Sequence, residues 1–266
     1  NFKEMKISIL ISSYNKGRYI KECIESCLKQ EDQNCEIILF DNNSNDGTDE
    51  ILVDYQKKIK ICKSERISNF PALNQIDLLE KAYKISNGEI ICLLDADDYF
   101  IKKKIKFVRN FFQENKEIDV LFNLPLIQKG EKFTKFKLKR KFINNIWETI
   151  IPTSSICFKS FFFEECIKRN IFKNFDSLEI DFRINVFSKN LKKKIAILDE
   201  PFNIYRHVEN GIMSQNKKYS LNWWKKRLQA HEFMKNIYFE NNKDYKNIDF
   251  SMTKILVNFL KFLNHK

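Results

Sequence analysis

Asp95, Asp97 and Asp98 fall within four positions of the segment ICLLDADDYF (91–100), directly behind an apolar run that ends at Leu94. Carboxylates gathered at the end of a buried strand are costly unless they are paired or metal-bound. Hard oxygen donors of this kind suit Mg2+ or Mn2+ carrying a diphosphate. Asp97 is therefore a candidate metal ligand, with Asp95 and Asp98 positioning the ion or what it carries. Two further polar clusters also follow apolar runs, SSYN (12–15) and DNNSNDGT (41–48). The second has Asp41, Asn43 and Asn45 at alternating positions, as a calcium loop would, but Asp46 and Leu52 stand where an EF-hand needs Gly and Glu.

The elements that must hold these clusters are legible from periodicity. KISILIS (6–12) reads as a buried strand, followed by a helix with Ile20, Ile24, Cys27 and Leu28 on one face. The alternation continues with EIILFD (36–41), a helix over Thr48 to Lys57, KIKIC (58–62), a helix from Pro71 and the strand EIICLLD (89–95). Asn87 and Gly88 stop the last helix before its strand. Alternating strands and helices predict a parallel sheet covered on both faces. Ligands bind outside the carboxyl ends of such strands, so the three polar clusters are expected to converge there.

Bulk properties narrow the class. The chain has 266 residues, 43% of them apolar, with 25 Phe against 5 Gly and 4 Pro, which predicts one globular core rather than a disordered or fibrous chain. Seven cysteines at 23, 27, 35, 62, 92, 157 and 166 form no CxxC pair and predict reduced thiols in a reducing cytoplasm. No apolar run approaches the ~18 residues of a membrane span, and NFKEMKI lacks a signal-peptide core. The formal charge of +12 favours anionic partners. No zinc-finger spacing, RNP-like aromatic motif or basic zipper accompanies that charge, so nucleic acid is not an expected partner.

In order and spacing, ISILISSYNKGRYIKECIESCLKQ, EIILFDNNSNDGTDEIL and NGEIICLLDADDYF resemble the nucleotide-binding half of family 2 glycosyltransferases with the GT-A fold. That resemblance covers roughly residues 6–100 and implies inverting transfer of a sugar from a UDP-, dTDP- or GDP-sugar, with a divalent cation. It implies that Ser12 and Tyr14 line the nucleoside pocket, that Asp41 and Asn42 match the carboxylate pair after the second strand, and that Asp95 and Asp97 form the DxD motif. Asn42 replaces an Asp common in relatives, and an amide both donates and accepts, so the base stays open. The segment 69–86 offers no clear phosphate-binding cation. LLDADD also matches the nucleophile strand of haloacid-dehalogenase-type phosphatases, with Asp95 as phosphoryl acceptor and Asp97 as acid/base. A catalytically silent carbohydrate- or partner-binding domain is the non-enzymatic alternative.

An inverting displacement needs a general base near the acceptor hydroxyl. FDSLEIDFRINVF (175–187) offers Asp176, Glu179 and Asp181 at a helix start. Asp181, followed by Arg183, most resembles the acidic helix of the family and is the expected base, with Glu179 in reserve; simple pairing of Asp181 to Arg183 is the structural alternative. DEPFNIYRHVENGIMS (199–214) resembles the segment that closes over the donor diphosphate, which makes Arg206 a phosphate contact and His207 a further metal or phosphate ligand. His231 and His265 read as ordinary helix residues. SLNWWKKRLQAHEFMKNIYF (220–239) reads as a basic amphipathic helix that either packs on the domain core or a partner chain or lies on an anionic membrane surface through Lys225, Lys226 and Arg227, and the last helix as a packing or oligomer contact. The expected organisation is a GT-A α/β domain over 1–200, with a nucleotide half to about 100 and an acceptor half beyond, and a C-terminal helical extension over 201–266. It is expected to act at the inner face of a cell membrane on a glycan or lipid-linked glycan.

Overall fold

Strand β1 (Ile7–Ser13) is buried at all seven positions, as its unbroken apolar run requires of a strand covered on both faces. In a computed structural model that describes residues 5–138, 149–190, 194–208 and 217–264, β1 lies between β2 (Cys35–Asp41) and β4 (Ile90–Asp95), parallel to both. Register puts Ser12 opposite Phe40 and Asp95, and Ser13 opposite Asp41, so the polar ends of three strands share one edge. β3 (Lys60–Lys63) closes that side in parallel with β2. On the other side come β9 (Ile156–Lys159), β6 (Val120–Asn123) and β10 (Ile195–Leu198). β9 runs antiparallel to both neighbours, so the sheet is mostly rather than wholly parallel. A smaller sheet is ordered β5 (Tyr99–Phe100), β11 (Asn203–Arg206), β7 (Leu126–Lys129), β8 (Lys132–Lys135).

Side chains alternate across the large sheet, so each strand feeds two cores. Ile9, Ile11, Cys92 and Leu94 pack with α1 (Ile20–Leu28), α2 (Thr48–Val53) and α4 (Lys104–Glu114). Leu10, Ile91 and Leu93 pack with α3 (Pro71–Lys84), α5 (Ser160–Lys168), α6 (Ile180–Asn190) and α7 (Leu221–Glu240). α2 ends at Val53 rather than near Lys57, because Asp54 N turns to Ile51 O and tightens the last turn. α7 and α8 (Ile248–Asn264) form the C-terminal helical part, joined by buried His231, whose Nδ1 lies 2.7 Å from Tyr245 Oη and whose Nε2 lies 2.7 Å from Asp249 Oδ2. His265 lies outside the described residues. β11, which the sequence reading placed in the helical extension, is hydrogen-bonded between β5 and β7 instead. Among the described residues, which include all seven cysteines, no disulfide forms.

Arg183 explains how the start of α6 is held. It is wholly buried and donates to five carbonyls: Ile171 (2.7 Å), Lys173 (3.1 Å), Asn174 (2.6 Å), Phe175 (2.8 Å) and Leu178 (3.0 Å). Those carbonyls belong to a loop in which Asn170, Asn174 and Phe175 all have positive φ and no regular ladder satisfies the backbone. Burial lowers the Arg183 pKa to about 10, which still leaves it charged at neutral pH. Arg183 is thus the clamp of the loop that leads to Glu179 and Asp181, and not the partner of Asp181. Arg183→Met should lower unfolding stability by about 3 kcal/mol or more, since several buried carbonyls lose their donor. Urea unfolding checks this, and a midpoint equal to the parent's would contradict it.

Candidate active site

A cavity of about 570 Å³ opens at the carboxyl ends of β1, β2 and β4 and is closed by the start of α6 and the end of β11. Nine of the residues singled out from sequence line it: Ser12, Tyr14, Asn42, Asp95, Asp97, Glu179, Asp181, Arg206 and His207. Asp41 does not. It is wholly buried at the end of β2 and accepts from Ser44 N and Ser44 Oγ, both at 2.7 Å, which shapes the turn after the strand.

The three carboxylates of the β4 terminus have three separate partners. Asp98 is fully buried, accepting from Ser154 Oγ at 2.6 Å and from Arg206 N at 2.8 Å, and so pins β11 of the small sheet to the large one. Asp95 accepts from Gln75 Nε2 at 2.7 Å; burial, then the charge of Asp97, raise its pKa to about 7. Asp97 is ion-paired to Lys16, whose Nζ lies 2.5 Å from Oδ2. Arg206 sits between the rings of Tyr99 and Tyr19, 4.5 and 5.3 Å from their centroids. Its Nη1 donates to Asp97 O at 2.9 Å and its Nη2 pairs with Glu22, so the guanidinium braces the DxDD loop. His207 is exposed at the rim, its backbone tied to Gln128 O.

On the other flank, Arg66 lies 4.6 Å over the Tyr14 ring and donates to its hydroxyl at 3.2 Å. Asn74 accepts from Ile67 N and Ser68 N, both at 3.0 Å, and thereby folds the loop that presents Arg66. The amide nitrogen of Asn42 donates to Ser64 O at 3.1 Å and Glu65 O at 3.4 Å, which leaves its oxygen as the group to meet a ligand. Ser13 Oγ and Gln75 Oε1 are buried polar atoms on the cavity wall without a partner among the described residues, where ligand hydroxyls could satisfy them.

The α6 side contributes Asp181, partly open to the cavity. Burial, then the charges of Glu179 and Asp95, raise its pKa to about 7, within the range a general base needs. Glu179 is ion-paired to Lys226 of α7, and Arg227 pairs with Asp249 at 2.5 Å. Two of the three basic residues read as a membrane-facing set are therefore engaged inside the protein.

Lys16, Arg66 and Gln75 escaped the sequence reading. Lys16 directly follows the SSYN cluster and could have been included on charge alone; Arg66 and Gln75 are reached only through packing of the loop and α3.

Among the described residues no three His, Cys, Asp or Glu side chains gather into a metal cage. Mg2+ or Mn2+ needs none, since one or two carboxylates with phosphate oxygens and waters suffice. Asp97, partly open on the cavity wall with Asp95 beside it, fits that mode.

Residues 8–168 match the Glycosyl transferase family 2 profile. An uncharacterised glycosyltransferase of Methanocaldococcus jannaschii is 28% identical over 257 residues, 88% of this chain and 83% of that one. The Escherichia coli UDP-Glc:alpha-D-GlcNAc-diphosphoundecaprenol beta-1,3-glucosyltransferase WfaP is 28% identical over 212 residues, 79% of this chain and 80% of that one. Among solved structures, Staphylococcus aureus TarS 1–349 with UDP-GlcNAc superposes with a TM-score of 0.64 at 19% identity, covering 96% of this chain and 71% of that one. The mannosyltransferase PcManGT of Pyrobaculum calidifontis with GDP-Man and Mn2+ gives 0.53 at 12% identity, covering 96% and 70%.

The raised pKa of Asp181 has a direct signature. A carboxyl raised from about 4 unfolded to about 7 folded favours the native state below the lower value, and that contribution is lost as pH rises through the upper one. Asp181→Asn should therefore be more stable than the parent by a margin that grows between about pH 4 and 7 and levels off above. Urea unfolding across pH measures it, and a margin independent of pH would contradict the assignment.

Proposed function

The chain belongs to glycosyl transferase family 2, and from that premise we propose that it is an inverting enzyme moving a sugar from a nucleoside-diphosphate sugar to a glycan hydroxyl. The observation that supports this reading is the single cavity shared by the DxD carboxylates, the Tyr14–Arg66–Asn42 flank, and Glu179 and Asp181. Tyr14 and Arg66 supply stacking and charge for the nucleotide. The Asn42 oxygen accepts from the imide N–H of uracil or thymine or from N1–H of guanine, so UDP, dTDP and GDP donors all suit it.

Asp97 would hold the divalent ion, Mg2+ or Mn2+, with His207 at the rim as a further ligand to it or to the phosphates. When bound, the ion offsets charge on the departing diphosphate. Lys16 and Arg66 add positive charge on the same wall. Asp181, as carboxylate, takes the acceptor hydroxyl proton while that oxygen bonds to the anomeric carbon and the bond to the diphosphate oxygen breaks. Glu179 is the reserve base. Arg206 and Asp98 hold the DxDD loop in place.

A glycan on a lipid carrier is the proposed acceptor, by analogy with the substrate named for the Escherichia coli relative. None of the described helices is long and apolar enough to cross a membrane. A phosphatase with Asp95 as phosphoryl acceptor is displaced by the family membership. A silent binding domain is separated by assay: the enzyme reading requires sugar transfer or donor hydrolysis, which a silent domain lacks.

Asp97→Asn should abolish turnover and metal-dependent donor binding while leaving the far-ultraviolet spectrum unchanged, and full activity would overturn the metal assignment. Asp181→Ala should lose turnover by roughly 100-fold or more yet keep donor affinity, because a base acts on the acceptor. Collapse of donor affinity in that variant would move Asp181 to the donor side.

A further inference from the structure

Among the described residues, Lys16 is the cation that faces the Asp97 carboxylate, 2.5 Å away, with side-chain exposures of 23% and 15%. Arg206 meets Asp97 only at the backbone carbonyl. The Lys16 main chain is fixed at the head of α1. Asn15 before it takes a left-handed φ of 51°, Lys16 N donates to Thr48 Oγ1 at 3.1 Å, and Lys16 O accepts from Tyr19 N and Ile20 N at 2.8 Å. A four-carbon stem on an anchored backbone can swing its ammonium between acceptors without moving the helix. The cavity that Lys16 lines also takes the diphosphate under the reading above.

Under that reading Asp97 meets two cations in turn. A divalent ion ligated by Asp97 would sit close to the ammonium, and their repulsion in a partly desolvated site is large. The diphosphate offers the ammonium a second anion. We propose that Lys16 is a placeholder cation for Asp97: it neutralises the carboxylate before ligand enters and crosses to the diphosphate when a metal–nucleotide arrives. Metal alone then binds weakly, and metal and nucleotide strengthen each other's binding by the same factor. This rests on Asp97 as the metal ligand.

The test measures Mn2+ binding to the whole chain by electron paramagnetic resonance of the free ion, for the parent, Lys16→Met, Lys16→Arg and Asp97→Asn. Each is titrated with Mn2+ alone and with Mn2+ plus whichever of UDP, dTDP and GDP raises the parent's melting temperature most; circular dichroism verifies folding. Lys16→Met should bind Mn2+ alone about tenfold tighter or more than the parent, and the enhancement of Mn2+ affinity by nucleotide should shrink correspondingly. Lys16→Arg, which keeps the charge, should bind Mn2+ alone as weakly as the parent. Unchanged or weaker binding of Mn2+ alone by folded Lys16→Met overturns the proposal even if Asp97→Asn abolishes binding of Mn2+ with nucleotide. Wild-type Mn2+ affinity in Asp97→Asn with nucleotide overturns the metal reading, and this proposal with it.

Discussion

Three carboxylates at the mouth of one buried strand are the constraint around which the rest of the structure is arranged. Asp95, Asp97 and Asp98 cannot all be ionised side by side in a low-dielectric setting without compensation. Each is handled differently. Asp98 is taken into the interior, where Ser154 and the Arg206 backbone satisfy it and burial, then Asp97 and Asp95, push its pKa well up. Asp95 leans on Gln75, and Asp97 stays partly open against a mobile-stemmed lysine. This division leaves one carboxylate available to a cation while the others fix its position.

The same constraint ties the small sheet and the C-terminal helices to the cavity. Asp98 reaches a backbone 108 positions away, and Arg206, once placed, braces the Asp97 carbonyl. At the start of α6, Lys226 reaches from α7 to Glu179, while Arg183 holds the loop in front of Glu179 and Asp181. α7 therefore supports the charge balance around Asp181 in addition to covering the sheet. A long-range framework of this kind makes the cavity depend on the whole described fold rather than on its first hundred residues.

What could be read from the sequence follows from how local each signal is. β1, β2 and β4 were legible because unbroken apolar runs end abruptly in polar residues, and parallel pairing brings those ends to one edge without further information. β9 was not, because its antiparallel insertion between β4 and β6 is set by tertiary contacts and its four residues carry no strong pattern. Strands of two to four residues in the small sheet were hidden for the same reason. Arg206 was legible as a site residue, but its engagement with Glu22 and Asp97 O was not. The pairing of Lys16 with Asp97 spans 81 positions, and nothing local marks it. Asp181 is legible through resemblance and chemistry, whereas the turning of Arg183 from it to five carbonyls is set by the fold of the 171–178 loop.

The cavity is proposed to hold a nucleoside diphosphate and its metal against Asp97. Anomalous diffraction from crystals soaked with Mn2+ and UDP tests it most directly. The expected result is a manganese peak within coordination distance of an Asp97 carboxylate oxygen and of the diphosphate, with the base against Tyr14 and the Asn42 oxygen. Manganese bound with the nucleotide but away from Asp97, or nucleotide bound outside this cavity, would contradict it.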